Sequence, residues 1–171
     1  PTDSSAASDV YKRQIIIFGF TAFLIFTSNP FNEIFPSPKE GLGLNPILQD
    51  PLLAIHPPIL YLGYVSTSII FSSGLSSLVM GNVNSNWASH IKKWILCSWI
   101  FLTGGILLGS IWAYYELGWG GFWFWDPVEN ISLMPWISLT ALLHCILVLE
   151  KRSSLGSWSI ILCISTFTLS V

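Results

Sequence analysis

The chain has 171 residues, of which 52% are hydrophobic, 15% aromatic and 9% charged, a composition that excludes a disordered tail and an ordinary soluble domain. Seven Lys/Arg against nine Asp/Glu give a formal net charge of -2, and no basic stripe could neutralise a phosphate backbone, so nucleic acid is excluded as a partner. Cys97, Cys145 and Cys163 all lie in apolar runs and form neither a CxxC nor a CxxCH motif, so they read as small buried hydrophobes.

Residues 1–14, PTDSSAASDVYKRQ, change abruptly in composition at Ile15 and lack the h-region and cleavage site of a signal peptide. SSAASDVYKRQ has the look of translated adapter sequence. Residues 1–14 are therefore expected to be a non-native leader outside the fold, and 15–171 the membrane domain. The apolar run Ile15–Ser28 is shorter than the ~20 residues a bilayer helix needs and is expected to be a truncated first span. Residues 29–57 hold Pro30, Pro36, Pro38, Pro46, Pro51 and Pro57 with the charges Glu33, Lys39, Glu40 and Asp50. This pattern predicts a long external loop that carries His56.

A second span is expected from Pro58 to Met80, with proline in its first turn and small Ser and Gly residues suited to close helix packing. The polar turn GNVNSNWASHIKK leads to a third span, Trp94–Tyr115, in which Gly104, Gly105 and Gly109 are expected helix contacts. The loop ELGWGGFWFWDPVEN, residues 116–130, separates it from a fourth span, Ile131–Leu149. The turn EKRSSLGS opens a fifth span that stops at Val171 inside an apolar run, so the chain reads as a fragment. The expected fold is all-α: a polytopic membrane protein of about five transmembrane helices with the outer two truncated.

Lys92 and Lys93 flank one short turn and Lys151 and Arg152 the other, whereas the two alternate loops hold only Lys39. By the positive-inside rule both short turns face the cytoplasm or matrix, and the Pro-rich and Trp-rich loops share the opposite face. The expected location is a bacterial inner membrane with the Trp-rich loop in the periplasm, or else a mitochondrial inner membrane.

The segment WAYYELGWGGFWFWDPVENISLMPW places Trp112, Trp119, Trp123, Trp125 and Trp136 with Phe122 and Phe124 around Gly118, Gly120 and Gly121. An aromatic belt scatters such residues on helix ends. Here they crowd one glycine-interrupted loop that can present several ring faces together, which suits a planar, apolar, conjugated ligand. Asp126 is either the N-cap of the fourth span or a direct binding group, and Glu129 suits the helix dipole.

His56 is either structural or, on the same face as the aromatic rings, placed to coordinate a haem iron. His144 lies thirteen residues after Ile131, roughly 20 Å into the bilayer. It is either a neutral group bonded to a Ser or Thr of a neighbouring helix or an axial ligand of a buried haem. His90, beside Lys92, reads as exposed and polar. No nucleophile set and no phosphate-binding glycine loop supports a hydrolase or ATPase.

WGGFWFWDPVEN resembles the tryptophan-rich WWD signature of haem-handling membrane proteins. With WAYYELGWGG before it and SLMPW after it, and with DPLLAIHPPILYLGYV and TALLHCILVLEKR, the sequence beyond residue 14 resembles the CcmF-type cytochrome c haem lyases. Phe122 stands where that family usually has Trp, which keeps an aromatic face. The other WWD proteins, the exporter CcmC and the synthase CcsA, share the aromatic core but not the EN-x-SLMPW continuation.

The resemblance implies an enzyme, a haem lyase that accepts haem from the chaperone CcmE, works with CcmH/CcmI-type subunits, and joins haem vinyl groups to the CxxCH thiols of apocytochrome c. It also implies that His56 is an external haem-iron ligand, that the WWD loop is the haem platform, and that His144 ligates a second haem b within the membrane. The partner histidines would lie beyond Val171, so this fragment alone is expected to be inactive. A haem exporter of the same family, without covalent chemistry, is the alternative.

Overall fold

A computed structural model describes residues 3–33, 35–41, 43–118 and 121–171. Five helices follow in order: α1 Asp3–Thr27, α2 Pro51–Val79, α3 Ser85–Glu116, α4 Pro127–Arg152 and α5 Gly156–Thr168, with a single 3-10 turn, Pro46–Gln49, before α2. No strand occurs among the described residues. Four helices are long and apolar enough to cross a bilayer: α1 over Ala7–Thr27, then α2, α3 and α4. The fifth, α5, has 13 residues and is shorter than a span.

Helices α2, α3 and α4 begin earlier than hydropathy alone suggests, because side-chain caps and not apolar runs set their starts. No break occurs at Ile15, since α1 is helical from Asp3. Lys12 on this early stretch sends its Nζ to Ser8 Oγ and to Ser76 Oγ of α2, each at 2.8 Å. The start of α2 lies at Pro51 and not at Pro58. The Asp50 carboxylate accepts from the backbone N–H of Leu52 at 2.7 Å and Leu53 at 3.3 Å, and Pro51, with no N–H to satisfy, takes the first helical position. His56 is thereby on a helix, a correction to the loop expected over 29–57. Pro57 and Pro58 sit inside α2, close enough to its start that only two carbonyls near the helix end lose their partners. Similarly α3 starts at Ser85, where the Asn84 side chain caps Trp87 N at 3.0 Å. Glu129 and Asn130, expected in the Trp-rich loop, form the first turn of α4.

Helices α2, α3, α4 and α5 pack each on the next, and α5 returns to α2, which closes a four-helix bundle; α1 lies against α2. Ile70, Ile91, Ile95, Leu102, Leu139, Leu142, Ile146 and Cys163 are fully buried at its centre. Glycine lets α2 and α3 approach closely. A Cβ on Gly63 would stand 2.8 Å from Leu102 N, and one on Gly105 would stand 2.7 Å from Leu60 Cα, so at both levels one backbone presses on the other.

Polar contacts close the two ends. At one end Lys92 Nζ lies 2.7 and 2.8 Å from the Glu150 carboxylate oxygens, and Ser85 Oγ donates to the Glu150 carbonyl at 2.8 Å. At the other, Tyr115 O–H donates to Asp50 Oδ1 at 2.7 Å and ties the start of α2 to the end of α3. The His56 end of α2 and the Trp-rich connection therefore lie at the same end of the bundle, away from the cation-bearing turns.

Candidate functional site

The N-termini of α2 and α4 and the C-terminus of α3 converge on a cavity of about 240 Å³ whose lining includes His56, Trp112, Trp123, Asp126 and Glu129. His56 comes from the second turn of α2. Its ring stacks on Trp112 of α3 with centroids 6.5 Å apart and planes at 17°.

The connection between α3 and α4 is folded by its acidic residues. Asp126 Oδ1 accepts from Glu129 N at 2.7 Å, and Glu129 Oε2 accepts from Asp126 N at 3.4 Å and from Phe124 N at 2.8 Å. This is a capping box extended by one loop amide. Asn130 Nδ2 adds a bond to the Trp125 carbonyl at 2.9 Å. Together these bonds hold Trp125 at φ +60°, a left-handed conformation that costs a non-glycine residue on the order of 1–3 kcal/mol. The reversal aims Trp123 into the cavity and leaves Trp125 outside, 68% exposed and edge-on to Trp123 at 6.0 Å. Asp126 both caps α4 and lines the cavity, so its two sequence readings coexist.

Three buried polar atoms at this cavity have no hydrogen-bond partner: His56 Nδ1, Trp112 Nε1 and Trp123 Nε1. The Gly105 carbonyl lies beside the imidazole, but it does not complete a hydrogen bond of good geometry to Nδ1. A buried donor left unmade costs about 1–3 kcal/mol. The described residues hold six such side-chain atoms, and half of them meet here. That concentration makes this cavity the place among the described residues where an ordered water or a ligand would meet buried polar atoms without protein partners.

Of the residues singled out in the sequence, His56, Trp112, Trp123 and Asp126 are brought together. Phe122 stands on the outer surface, 49% exposed, and Phe124 is half-buried with its ring near Gly121. Trp119 lies outside the described residues. Trp136 does not join the cavity. Counted from Pro127 it is roughly 14 Å down the helix, where its indole stacks on Trp99 at 5.9 Å and donates to Thr103 Oγ1 at 2.8 Å. His144 is further along α4, exposed, with Nδ1 2.7 Å from the Thr140 carbonyl of its own helix and not from a neighbour. Sequence reasoning missed Leu60 and Ser132 in the lining. Gly109 is a helix contact as expected, and the α2 residue it meets is His56 itself.

The donor set discriminates among ligands. No group of three or more His, Cys, Asp or Glu suited to a bare metal ion exists among the described residues. A single imidazole beside indoles suits a metal already held by a flat macrocycle. The cavity falls below the ~300–1,000 Å³ of a pocket that encloses its ligand. Its volume admits one edge of such a ligand and not the whole.

The family model described as Cytochrome C assembly protein matches residues 5–171. The cytochrome c-type biogenesis protein CcmF of Escherichia coli (strain K12) is 54% identical over 167 residues, covering 94% of this chain and 26% of that protein. The protein CycK of Rhizobium meliloti (strain 1021), of the same description, is 56% identical over 156 residues, covering 91% of this chain and 23% of its own length. A solved structure titled Cytochrome c Heme Lyase CcmF superposes with a TM-score of 0.71 at 32% identity, covering 91% of this chain and 25% of that one. The chain thus spans about a quarter of the length of these relatives.

Proposed function

The chain belongs to the cytochrome c assembly protein family, and from that premise we propose that its cavity end is a haem platform serving covalent haem attachment. Haem is the cargo: His56 binds its iron, Trp112 and Trp123 hold one edge of the macrocycle, and the outer aromatics Trp125 and Phe122 cover what projects. Thioether formation adds a cysteine S–H of an apocytochrome CxxCH motif across a haem vinyl group. The sulfur bonds to one vinyl carbon, the hydrogen goes to the other, and nothing leaves. Such an addition needs alignment more than an acid or base. The chain's contribution is a fixed haem plane and a fixed edge.

The reading extends to the partners. CcmE supplies the haem, CcmH/CcmI-type subunits and apocytochrome c meet the platform, and the surrounding lipid is that of a bacterial inner membrane with the platform in the periplasm. His144 would hold the iron of a separate haem b. The Thr140 carbonyl at its Nδ1 is the outer-shell partner expected of a histidine that gives Nε2 to a metal.

One observation carries the proposal: three partnerless buried nitrogens, from His56, Trp112 and Trp123, at a single cavity. Titration of the chain in nanodiscs with hemin tests it. In a His144→Leu background the chain is expected to develop the Soret band of an imidazole-ligated haem, which His56→Ala removes and the double variant Trp112→Leu/Trp123→Leu weakens. Unchanged spectra in both variants would overturn the platform.

A further inference from the structure

The α2–α3 interface keeps one register over three levels. Gly63 faces Leu102, Leu60 faces Gly105, and His56 faces Gly109. At the first two levels the glycine admits backbone. At the third it admits an imidazole: a Cβ on Gly109 would lie 3.0 Å from His56 Nδ1 and 3.1 Å from Cε1. Both distances are inside the ~3.5–4.0 Å of optimal van der Waals contact.

We infer that Gly109 is a positioning residue for His56: its missing side chain seats the Nδ1 edge of the imidazole against α3 and leaves Nε2 as the nitrogen that meets the haem iron. The inference rests on the platform reading above and adds how the ligand is presented. Nδ1 is the ring nitrogen nearest the Gly109 face of α3, which leaves Nε2 as the nitrogen free to meet an iron. The Gly105 carbonyl beside the ring is the acceptor available to an Nδ1 proton once Nε2 is ligated. Orienting bonds of this kind fix the tautomer and plane of a metal-binding histidine.

The glycines of α2 and α3 supply matched controls. At Gly105 and Gly63 an added Cβ meets backbone, Leu60 N and Leu102 N each at 2.8 Å, so substitution there disturbs the helix pair. At Gly104 the nearest atom is Ile59 Cγ2 at 3.6 Å, an ordinary contact. At Gly109 the atoms that must yield belong to a side chain. Gly109→Ala therefore moves the imidazole and keeps the bundle.

The test compares Gly109→Ala, Gly104→Ala and His56→Ala in the whole chain in nanodiscs, each in a His144→Leu background that leaves the platform as the site read, with helix content and melting read by circular dichroism and hemin binding by absorbance. Gly109→Ala is expected to retain helix content and melting, to bind hemin about tenfold to a hundredfold more weakly, and to recover an imidazole-ligated spectrum when free imidazole is added; Gly104→Ala is expected to match the unmodified chain. Wild-type hemin affinity in Gly109→Ala, with binding lost in His56→Ala, overturns this inference and leaves the platform standing. Wild-type binding in His56→Ala instead sinks the platform and the inference with it. The unmodified chain gives an independent measurement, since 15N histidine spectra with zinc protoporphyrin report which ring nitrogen is bound. Coordination through Nε2 is the expected result, and coordination through Nδ1 overturns the inference.

Discussion

Trp99 on α3 and Trp136 on α4 stack with centroids 5.9 Å apart, and each sends its indole N–H to the threonine one turn beyond the other. Trp99 Nε1 donates to Thr140 Oγ1 at 2.9 Å and Trp136 Nε1 to Thr103 Oγ1 at 2.8 Å. The threonine hydroxyls then donate back along their own helices, Thr103 to the Trp99 carbonyl at 2.7 Å and Thr140 to the Trp136 carbonyl at 2.9 Å. Two copies of W-x3-T on antiparallel helices thus close a ring in which every indole N–H and hydroxyl is used. In hydrocarbon no water replaces a lost partner, so such a ring fixes the pairing of α3 with α4.

Thr103→Val and Thr140→Val keep side-chain shape and remove one acceptor each. Each is expected to lower the unfolding free energy by about 0.6 kcal/mol, and by no more than about 1.7 kcal/mol, as for interhelical bonds in membranes. Because Trp136 gives its N–H to Thr103, Trp136→Phe combined with Thr103→Val is expected to cost less than the two separate losses summed. Denaturation of the four proteins in detergent completes the cycle. Strict additivity would show that the bond contributes nothing.

Trp136 also shows where sequence reading stops. Its closeness to the WWD motif along the chain groups it with that motif, but a helix that starts at Pro127 carries it down the bundle and turns it toward α3. The cap at Asp126, the small-residue contacts of α3 and the shared end of His56 and the Trp-rich connection were legible, because capping, close packing and charge asymmetry are local signals. The start of α2 was legible in principle, since Asp50-Pro51 is a cap followed by a first-turn proline. The pair Pro57-Pro58 outweighed it because proline is seldom placed seven residues into a helix. The pairing of His56 with Gly109 was not legible, as it depends on the register of two helices and neither residue signals the other along the chain.

The capping box holds the Trp-rich connection, so it separates helix stability from loop order. Asp126→Ala removes the cap of α4 and is expected to cost about 1 kcal/mol. Glu129→Gln keeps an acceptor for the Phe124 and Asp126 amides, and is expected to preserve the box. Tryptophan emission should move to the red in Asp126→Ala, as Trp123 leaves the cavity, and remain in place in Glu129→Gln. Equal red shifts in the two variants would mean that the charge of Glu129, and not its acceptor geometry, orders the loop.

Sidedness follows from the shared end. With Cys97, Cys145 and Cys163 replaced by alanine, single cysteines at Leu44, 59% exposed, and Val128, 65% exposed, are expected to react with an impermeant maleimide added from the side opposite the cation-bearing turns. A cysteine at the exposed Ser153, between α4 and α5, should react only after the membrane is opened. Labelling of Val128 and Ser153 from one side would contradict both the bundle and the charge rule.

His144 belongs to a different part of the molecule from His56. It is absent from the cavity lining, and it stands exposed on the α4 stripe that also presents Met134 at 45% and Ile137 at 54% exposure. One nitrogen is satisfied by the Thr140 carbonyl, so the ring is tolerated on an apolar face without contributing to the core. His144→Leu is therefore expected to leave the stability of the chain within about 0.5 kcal/mol of its starting value. Hemin binding at the platform should also be unchanged, and combining His144→Leu with His56→Ala should give the His56→Ala titration curve at the platform, as independent sites require. Loss of platform binding in His144→Leu alone would instead show that the two imidazoles serve one haem, and the division into an external and an intramembrane site would have to be given up.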